Sequence, residues 1–102
     1  MDVRHEPDND SYVAEIDGDQ AGVIEYLVRG DDADRYVLAH TVVGDDFGGK
    51  GVGSALASFA LDDARTRGLK VVPLCPFVEG YIERHPEYAD LVDTELFDAM
   101  RK

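Results

Sequence analysis

The chain has 102 residues, and 22 Asp and Glu against 10 Lys and Arg give it a formal net charge of −12. This length predicts a single domain, and the acidic balance argues against a basic surface that binds nucleic acid. One cysteine excludes an internal disulfide framework, and the three histidines show no short metal-ligand spacing. No long apolar run or apolar signal segment is present, so we expect a cytoplasmic protein without a membrane partner.

The acidic charge has two possible explanations. A negative surface attracts cationic ligands, so it could steer a cationic amine substrate to the protein. It could also be a solvation adaptation to high salt, as in halophilic organisms. The acidic residues are spread along the chain, which favours the second explanation.

The first half of the chain predicts three β-strands after a lead-in without regular structure over residues 1–10. The strands cover Ser11–Ile16, 21–29 and Arg35–Val43, where β-branched and aromatic residues are frequent. Short turns, the first containing Asp17-Gly18, separate them and predict an antiparallel meander.

The second half predicts a helix over residues 54–67, which Gly68 ends, and a strand over 69–74. A strand–helix–strand unit places its two strands in parallel, so the last strand should lie beside the third. Short helices are predicted at Pro76–Arg84, 87–92 and 94–102. The expected fold class is α/β: one domain over residues 1–102, with its core at about 11–92 and a mixed, mostly antiparallel sheet.

A glycine-rich loop over residues 44–54 leads from the third strand into the helix. Glycines permit close backbone approach, and a helix start presents free N–H groups, so the pattern favours an anion, usually phosphate. The dinucleotide pattern G-x-G-x-x-G fails at Ser54, and the P-loop pattern fails because Gly51 stands at its Ser/Thr position. The loop could also be only a tight turn that holds the strand against the helix.

The remaining pattern, Gly51-Val52-Gly53 at a strand-to-helix turn, resembles the pyrophosphate loop of the GNAT acetyltransferases, which bind acetyl-coenzyme A. The superfamily pattern is Gln/Arg-x-x-Gly-x-Gly/Ala, and Gly48 replaces its first residue in this chain. This departure removes one side-chain contact and leaves the backbone cradle intact.

Two further turns, Cys75-Pro76-Phe77-Val78 and His85-Pro86-Glu87-Tyr88, closely resemble a minimal GNAT-like family, the small N-acetyltransferase-domain proteins of the YjdJ type. The resemblance covers about residues 12–92. It implies a GNAT-like fold without the usual substrate-binding additions.

The resemblance also implies which residues contact acetyl-CoA. The end of the third strand would pair with the pantetheine arm, the loop would bind the pyrophosphate, and the end of the last strand would border the thioester slot. The implied coenzyme-binding residues are Val42, Val43, Gly48, Gly49, Lys50, Gly51, Val52, Gly53, Ser54, Cys75 and Pro76.

Cys75 and Tyr81 are two candidate catalytic residues. Cys75 precedes a predicted helix start, whose dipole would lower the thiol pKa and could make it a nucleophile. It could also only line the slot, or be a small buried hydrophobe. By the resemblance, Tyr81 stands near the tyrosine that often protonates the leaving thiolate, and the alternative is a core residue.

His40 is a candidate general base. It alternates with Leu38 and Val42 on the third strand, so it would be buried near the slot if that face lies inside. The alternative is a structural, hydrogen-bonded histidine. His85 and a water held by a carboxylate such as Glu25 are other candidates for the base.

The sequence therefore predicts an acetyl-CoA-dependent N-acetyltransferase that transfers acetyl directly to an amine of a small molecule or a protein. The alternative is a coenzyme-A-binding module or sensor without efficient catalysis, because the resemblance implies a fold without the usual substrate-binding additions. The missing Ser/Thr disfavours a nucleotide hydrolase.

Overall fold

A five-stranded mixed sheet forms the centre of the protein. The structure, a computed structural model, describes residues 1–101. The strands lie in the order of the sequence; the first four are antiparallel, and the fifth is parallel to the fourth. They are β1 (Asp2–Glu6), β2 (Ser11–Ile16), β3 (Asp19–Arg29), β4 (Arg35–Val43) and β5 (Lys70–Pro73).

Three α-helices follow β4. They are α1 (Val52–Arg67), α2 (Pro76–Arg84) and α3 (Thr94–Met100), with 3-10 turns at Pro7–Asn9, Asp45–Phe47 and Pro86–Leu91. The crossover from β4 through α1 to β5 gives the predicted parallel pair. Lys102, the end of the predicted last helix, lies outside the described residues. None of the described helices is long and apolar enough to cross a membrane.

The N-terminal segment was expected to lack regular structure, and this expectation is wrong, because residues 2–6 form the edge strand β1. Isolated, this segment is too polar to read as a strand. In the fold, His5 turns inward and shares a 2.6 Å hydrogen bond with the Tyr26 hydroxyl. The His5 ring also stacks on Tyr12 at 4.5 Å between centroids. These contacts with β2 and β3 explain why β1 joins the sheet.

Helix α1 covers one face of the sheet and ends at Gly68, where a left-handed φ of 70° closes the helix. Its small and apolar residues pack on the inward side chains of β2, β3 and β4. The helix residues buried there are Val52, Gly53, Leu56, Ala57, Ala60, Leu61 and Ala64. On the opposite face, the side chains of Leu27 and Val42 stay 43% and 56% exposed. The sheet is therefore well covered on one side and open on part of the other.

A β-bulge in β4 decides which side chains reach each face. Glu25 pairs with His40, whereas Tyr26 pairs with Leu38, so Ala39 has no partner on β3. The extra residue shifts the alternation by one position. As a result, Leu38 and Thr41 lie on the α1 face, and His40 lies on the opposite face with Glu25.

Candidate functional site

The C-terminal half of β4 has one free edge. Strand β5 pairs with β4 only from Arg35 to Leu38, and its last pair joins Leu38 to Pro73. The chain then turns away: the Cys75 N–H donates to the Leu38 carbonyl at 3.0 Å, and Pro76 begins α2. The β4 backbone from Ala39 to Val43 consequently borders an open slot between β4 and the start of α2.

Two backbone N–H groups of β4 point into this slot. The Gly44 N–H donates to the Ala21 carbonyl at 2.9 Å, which extends the β3–β4 ladder. Antiparallel ladders alternate between hydrogen-bonded and non-hydrogen-bonded pairs. From this alternation, His40 and Val42 bond to β3, whereas Thr41 and Val43 direct their N–H and C=O groups to the free edge. This edge can pair with an extended amide-containing chain.

The glycine loop lies at the end of the same strand. Gly49 and Gly51 have φ values of 79° and 75°, in the left-handed region that favours glycine. A Cβ added at either position would meet no protein atom within 4 Å. The backbone is thus accessible there, and open space lies in front of it.

Gly53 is constrained by a neighbour instead. A Cβ at Gly53 would lie 2.7 Å from Cζ of Phe77, so the Phe77 ring of α2 sits directly on the first turn of α1. This contact brings the starts of α1 and α2 together at the mouth of the slot.

The first turn of α1 presents free donors. The N–H groups of Val52, Gly53 and Ser54 precede the first helical hydrogen bond, which the Ala55 N–H donates to the Gly51 carbonyl at 3.0 Å. In the described chain, no side chain caps this helix start, and no acidic residue lies in its first turn. The donors and the positive end of the helix dipole suit an anion, and the exposed Lys50 can add positive charge. Asp45 and Asp46 lie at the beginning of the loop and oppose this effect.

Cys75 lies on the other side of the slot. Cys75 is buried and occupies the N-cap position of α2, where its side chain makes no capping hydrogen bond. The thiol donates a 3.1 Å hydrogen bond to Oγ1 of Thr41 on β4. Burial raises the thiol pKa, but hydrogen bonds from the Thr41 hydroxyl and from the N–H groups of Val78, Phe77 and Thr41 outweigh it and lower the pKa.

The comparisons with known proteins agree with this geometry. The model of the GCN5-related N-acetyl-transferase family matches residues 11–91. The chain belongs to the GCN5-related N-acetyltransferases. Comparison with curated protein sequences gave no match.

Two solved structures resemble this family member. One is an NMR structure of a GCN5-like protein of Staphylococcus aureus, assigned as an N-acetyltransferase; it is 25% identical, with a TM-score of 0.65, over 89% of this chain and 86% of that one. The other is a crystal structure of nourseothricin acetyltransferase, 35% identical over 63% of this chain and 39% of that chain. The TM-score of this match is 0.49. The first match confirms the predicted GNAT-like architecture.

His40 does not lie where the sequence suggested. The bulge at Ala39 moves it to the face opposite Leu38, where it is exposed, so the expected burial beside the slot is wrong. It lines a shallow cavity of about 210 Å³ together with Asp10, Glu25 and Leu27. Its ring is therefore accessible from the side of the sheet that α1 does not cover.

Tyr81 is buried in α2, where its ring stacks on His85 at 4.2 Å and tilts toward Tyr88 at 6.2 Å. His85 directly follows α2, and Tyr88 lies in the 3-10 turn after it. A hydrogen bond to Asp62 raises the pKa of Tyr88 to about 12. The aromatic group thus packs the far end of α2 against α1.

Sequence reasoning missed two residues of the slot, Thr41 and Phe77. Thr41 was read as one strand residue among others, because simple alternation does not reveal a bulge. Phe77 belongs to the Cys-Pro turn in the sequence, but its contact with Gly53 and its position at the slot, where it stays 39% exposed, depend on the packing of α2 against α1. A larger cavity of about 650 Å³, lined by Arg29, Asp32 and Arg35, lies at the opposite end of β4 and does not join the slot.

Proposed function

We propose that this family member uses acetyl-CoA and transfers the acetyl group directly to an amine. The observation that carries the proposal is the position of three features around one slot. The free edge of β4, the open glycine loop and the buried Cys75 surround one slot. An extended ligand with an anionic group at one end and amides along its length fits that arrangement.

The residues present fit coenzyme A. The N–H groups from Gly51 to Ser54 would hold its diphosphate, with Lys50 adding charge. The backbone of Val43 would pair with the amides of its pantetheine arm. Space beside Gly49 and Gly51 is free for the diphosphate, since a Cβ at either residue would meet only open space. The coenzyme would supply an acetyl group already activated as a thioester.

The chain itself would orient the reactants and stabilise charge. The Val43 N–H points from the strand edge and can donate to a carbonyl oxygen in the slot. A fixed donor of this kind contributes roughly 10²–10³ in rate where an oxyanion develops. Cys75 and Pro76 would border the reacting end of the slot.

The amine acceptor would approach from the side of the sheet that α1 leaves open. His40 and Glu25 pair across β3 and β4 on that face, and both are exposed. Either can accept a proton from an ammonium group, directly or through a water. Tyr81 remains a proposed proton donor to the leaving thiolate, on the strength of the family resemblance. The acceptor belongs to a small molecule or to a protein.

One observation favours a second candidate function. Around His40 and Val42 this face of the sheet is exposed, and the cavity that the described residues form there, beside His40, is shallow. A coenzyme-A-binding module without efficient catalysis would have this property.

The deciding experiment measures binding and turnover separately. Calorimetric titration with acetyl-CoA, at low salt and in molar KCl, tests the coenzyme site. Release of coenzyme thiol in the presence of a broad amine panel tests catalysis. Amine-dependent release supports the enzyme; saturable binding without release on any amine supports the binding module. No binding at either salt would refute both.

Direct transfer makes a separate statement about Cys75. Under direct transfer, Cys75→Ala keeps amine-dependent turnover, and the wild-type protein shows no gain of one acetyl group in mass after incubation with acetyl-CoA. Loss of turnover in the variant, together with an acetylated Cys75 in the wild type, would show a covalent path instead.

A further inference from the structure

Thr41 and Cys75 form a polar pair across the slot, although they lie on different elements. Their Oγ1 and Sγ atoms are 3.1 Å apart. The bulge at Ala39 places Thr41 on the α1 face, and the turn after β5 brings Cys75 opposite it. Within residues 1–101, the thiol is the hydrogen-bond partner that the structure gives to the Thr41 hydroxyl.

Packing does not require a hydroxyl at position 41. Valine has the same shape as threonine and suits a strand equally well. Neighbouring β4 residues Val37, Val42 and Val43 are all valines. The hydroxyl of Thr41 is therefore accounted for by its contact with Cys75 and not by the shape of the core.

The hydroxyl can serve Cys75 in both protonation states. A neutral thiol donates its hydrogen to Oγ1, as the geometry shows. A thiolate would instead accept the hydroxyl hydrogen, because a hydroxyl is both donor and acceptor. The nearby backbone N–H groups of Val78, Phe77 and Thr41 also act to lower the pKa of this thiol. The sulfur thus has a fixed place at the edge of the slot in either state.

We propose that Thr41 is a positioning residue that holds the Cys75 sulfur at the edge of the slot and supports its ionised form. The proposal rests on the proposed function only in taking the slot beside Cys75 as the site of acetyl-CoA. It does not depend on whether the Cys75 thiolate attacks the acetyl carbonyl or Cys75 only borders the slot. Thr41 acts through Cys75 and is not itself a catalytic residue.

The ionisable side chains nearest in sequence are engaged elsewhere. His40 precedes Thr41 but points to the opposite face of the sheet. Glu79, in the first turn of α2, forms an ion pair with Arg101, with 3.4 Å between Oε2 and Nη1. Cys75 itself bonds the Glu79 N–H through its carbonyl oxygen at 3.0 Å. Substitutions of Thr41 should consequently affect the ionisation of Cys75 through its hydrogen bonding and its burial.

The test uses the fact that Cys75 is the only cysteine of the chain. A protein labelled with ¹³C at the cysteine Cβ gives one NMR signal, and its pH titration reports the ionisation of this thiol without any reagent having to enter the slot. We expect Thr41→Val to move the titration to higher pH and Thr41→Ser to leave it near the wild type. The rate of alkylation by iodoacetamide at neutral pH should fall about three- to tenfold in Thr41→Val, because a lost charged hydrogen bond is partly offset by the higher nucleophilicity of the more basic thiolate.

Ser58→Ala is the matched control. It removes a hydroxyl that bonds the Ala55 carbonyl at 3.2 Å inside α1, away from Cys75. It should leave both the titration and the alkylation rate unchanged. If Thr41→Val does not fold by circular dichroism, Thr41→Ala removes the same hydroxyl with less volume. The proposal would be overturned if Cys75 titrated at the wild-type pH in folded Thr41→Val or Thr41→Ala. It would also be overturned if Thr41→Ser shifted the titration as far as the variant without a hydroxyl.

A separate arm tests the proposed function. Alkylation of the wild type is repeated with saturating coenzyme A, which should protect Cys75 if the coenzyme occupies the slot. Absence of protection would count against the coenzyme site while leaving the titration result, and hence the Thr41–Cys75 pair, intact. A wild-type titration in Thr41→Val, together with full protection of Cys75 by coenzyme A, would overturn the role of Thr41 and leave the coenzyme site supported.

Discussion

Replacing Gly51 by alanine separates backbone strain from ligand contact, because α1 carries a matched glycine at its other end. Gly51 precedes the helix with a φ of 75°, and Gly68 follows it with a φ of 70°. A Cβ at either position meets no protein atom within 4 Å. Gly51→Ala and Gly68→Ala should therefore strain the backbone equally.

The size of the strain follows from the left-handed conformation. Alanine in this region costs roughly 1–2 kcal/mol of folding free energy relative to a relaxed residue. For a domain of this size, each 1 kcal/mol lowers the melting temperature by about 4–8 °C. Both variants should lose stability by this amount, and by amounts that agree with each other.

Binding of acetyl-CoA should distinguish the two variants. The methyl group at Gly51 projects into the space proposed for the diphosphate, whereas that at Gly68 lies at the far end of a 16-residue helix. We expect Gly51→Ala to weaken the affinity at least about tenfold, which is ~1.4 kcal/mol, and Gly68→Ala to leave it unchanged. Calorimetric titration well below both melting temperatures measures this difference on folded protein.

Equal affinities in the two variants, with equal losses of stability, would refute the reasoning. The glycine loop would then be a structural turn, and its open backbone would have no part in coenzyme binding. A loss of affinity in both variants would show that strain alone disturbs the slot.

Three further properties follow from the structure. The pKa of His5 is lowered by burial and by Arg67, so the folded protein favours the neutral ring. The stability from this group should be complete above the ordinary histidine pKa of 6.5 and should decline as the pH falls below it. His5→Gln should therefore flatten this part of the pH dependence of the melting temperature. Asp93 caps α3 by accepting from the Leu96 N–H at 3.0 Å and pairs with Arg35 at 2.7 Å, so Asp93→Ala should lower the free energy of urea unfolding by about 1–2 kcal/mol. The net charge of −12 should make the melting temperature rise with KCl, because molar salt shortens the screening length to about 3 Å.

Each of these expectations has a control. His40→Gln alters an exposed histidine and should leave the pH profile of stability as it is; a profile that survives His5→Gln would assign the effect to another group. Asp98→Ala removes an exposed carboxylate whose partner within residues 1–101 is Arg101, at 3.2 Å, and it should cost much less than Asp93→Ala. A melting temperature that does not respond to KCl would contradict the explanation of the acidic surface as an adaptation to salt.

The sequence predicted those strands and helices whose local residue pattern agrees with the way they pack in the fold. The three strands of the meander alternate or concentrate β-formers, and Gly68 and Pro76 mark element ends through their own backbone limits. Strand β1 was missed because its polar residues become a strand only through His5 and its contacts with Tyr12 and Tyr26. An edge strand of this kind is specified by its neighbours in the sheet.

The candidate site also combines features that the sequence predicts with features that only the fold sets. The glycine loop and the Cys-Pro helix start are local patterns, so the sequence alone identified both and the family to which they belong. The pairing of Thr41 with Cys75, and the removal of His40 to the opposite face, depend on one unpaired residue, Ala39, in β4. A bulge inverts the faces of every residue after it, and its position is set by the register between two strands that are distant in sequence. The sequence by itself therefore determined most of the elements, the family and the local motifs of the candidate site, while the tertiary structure decided which side chains meet there.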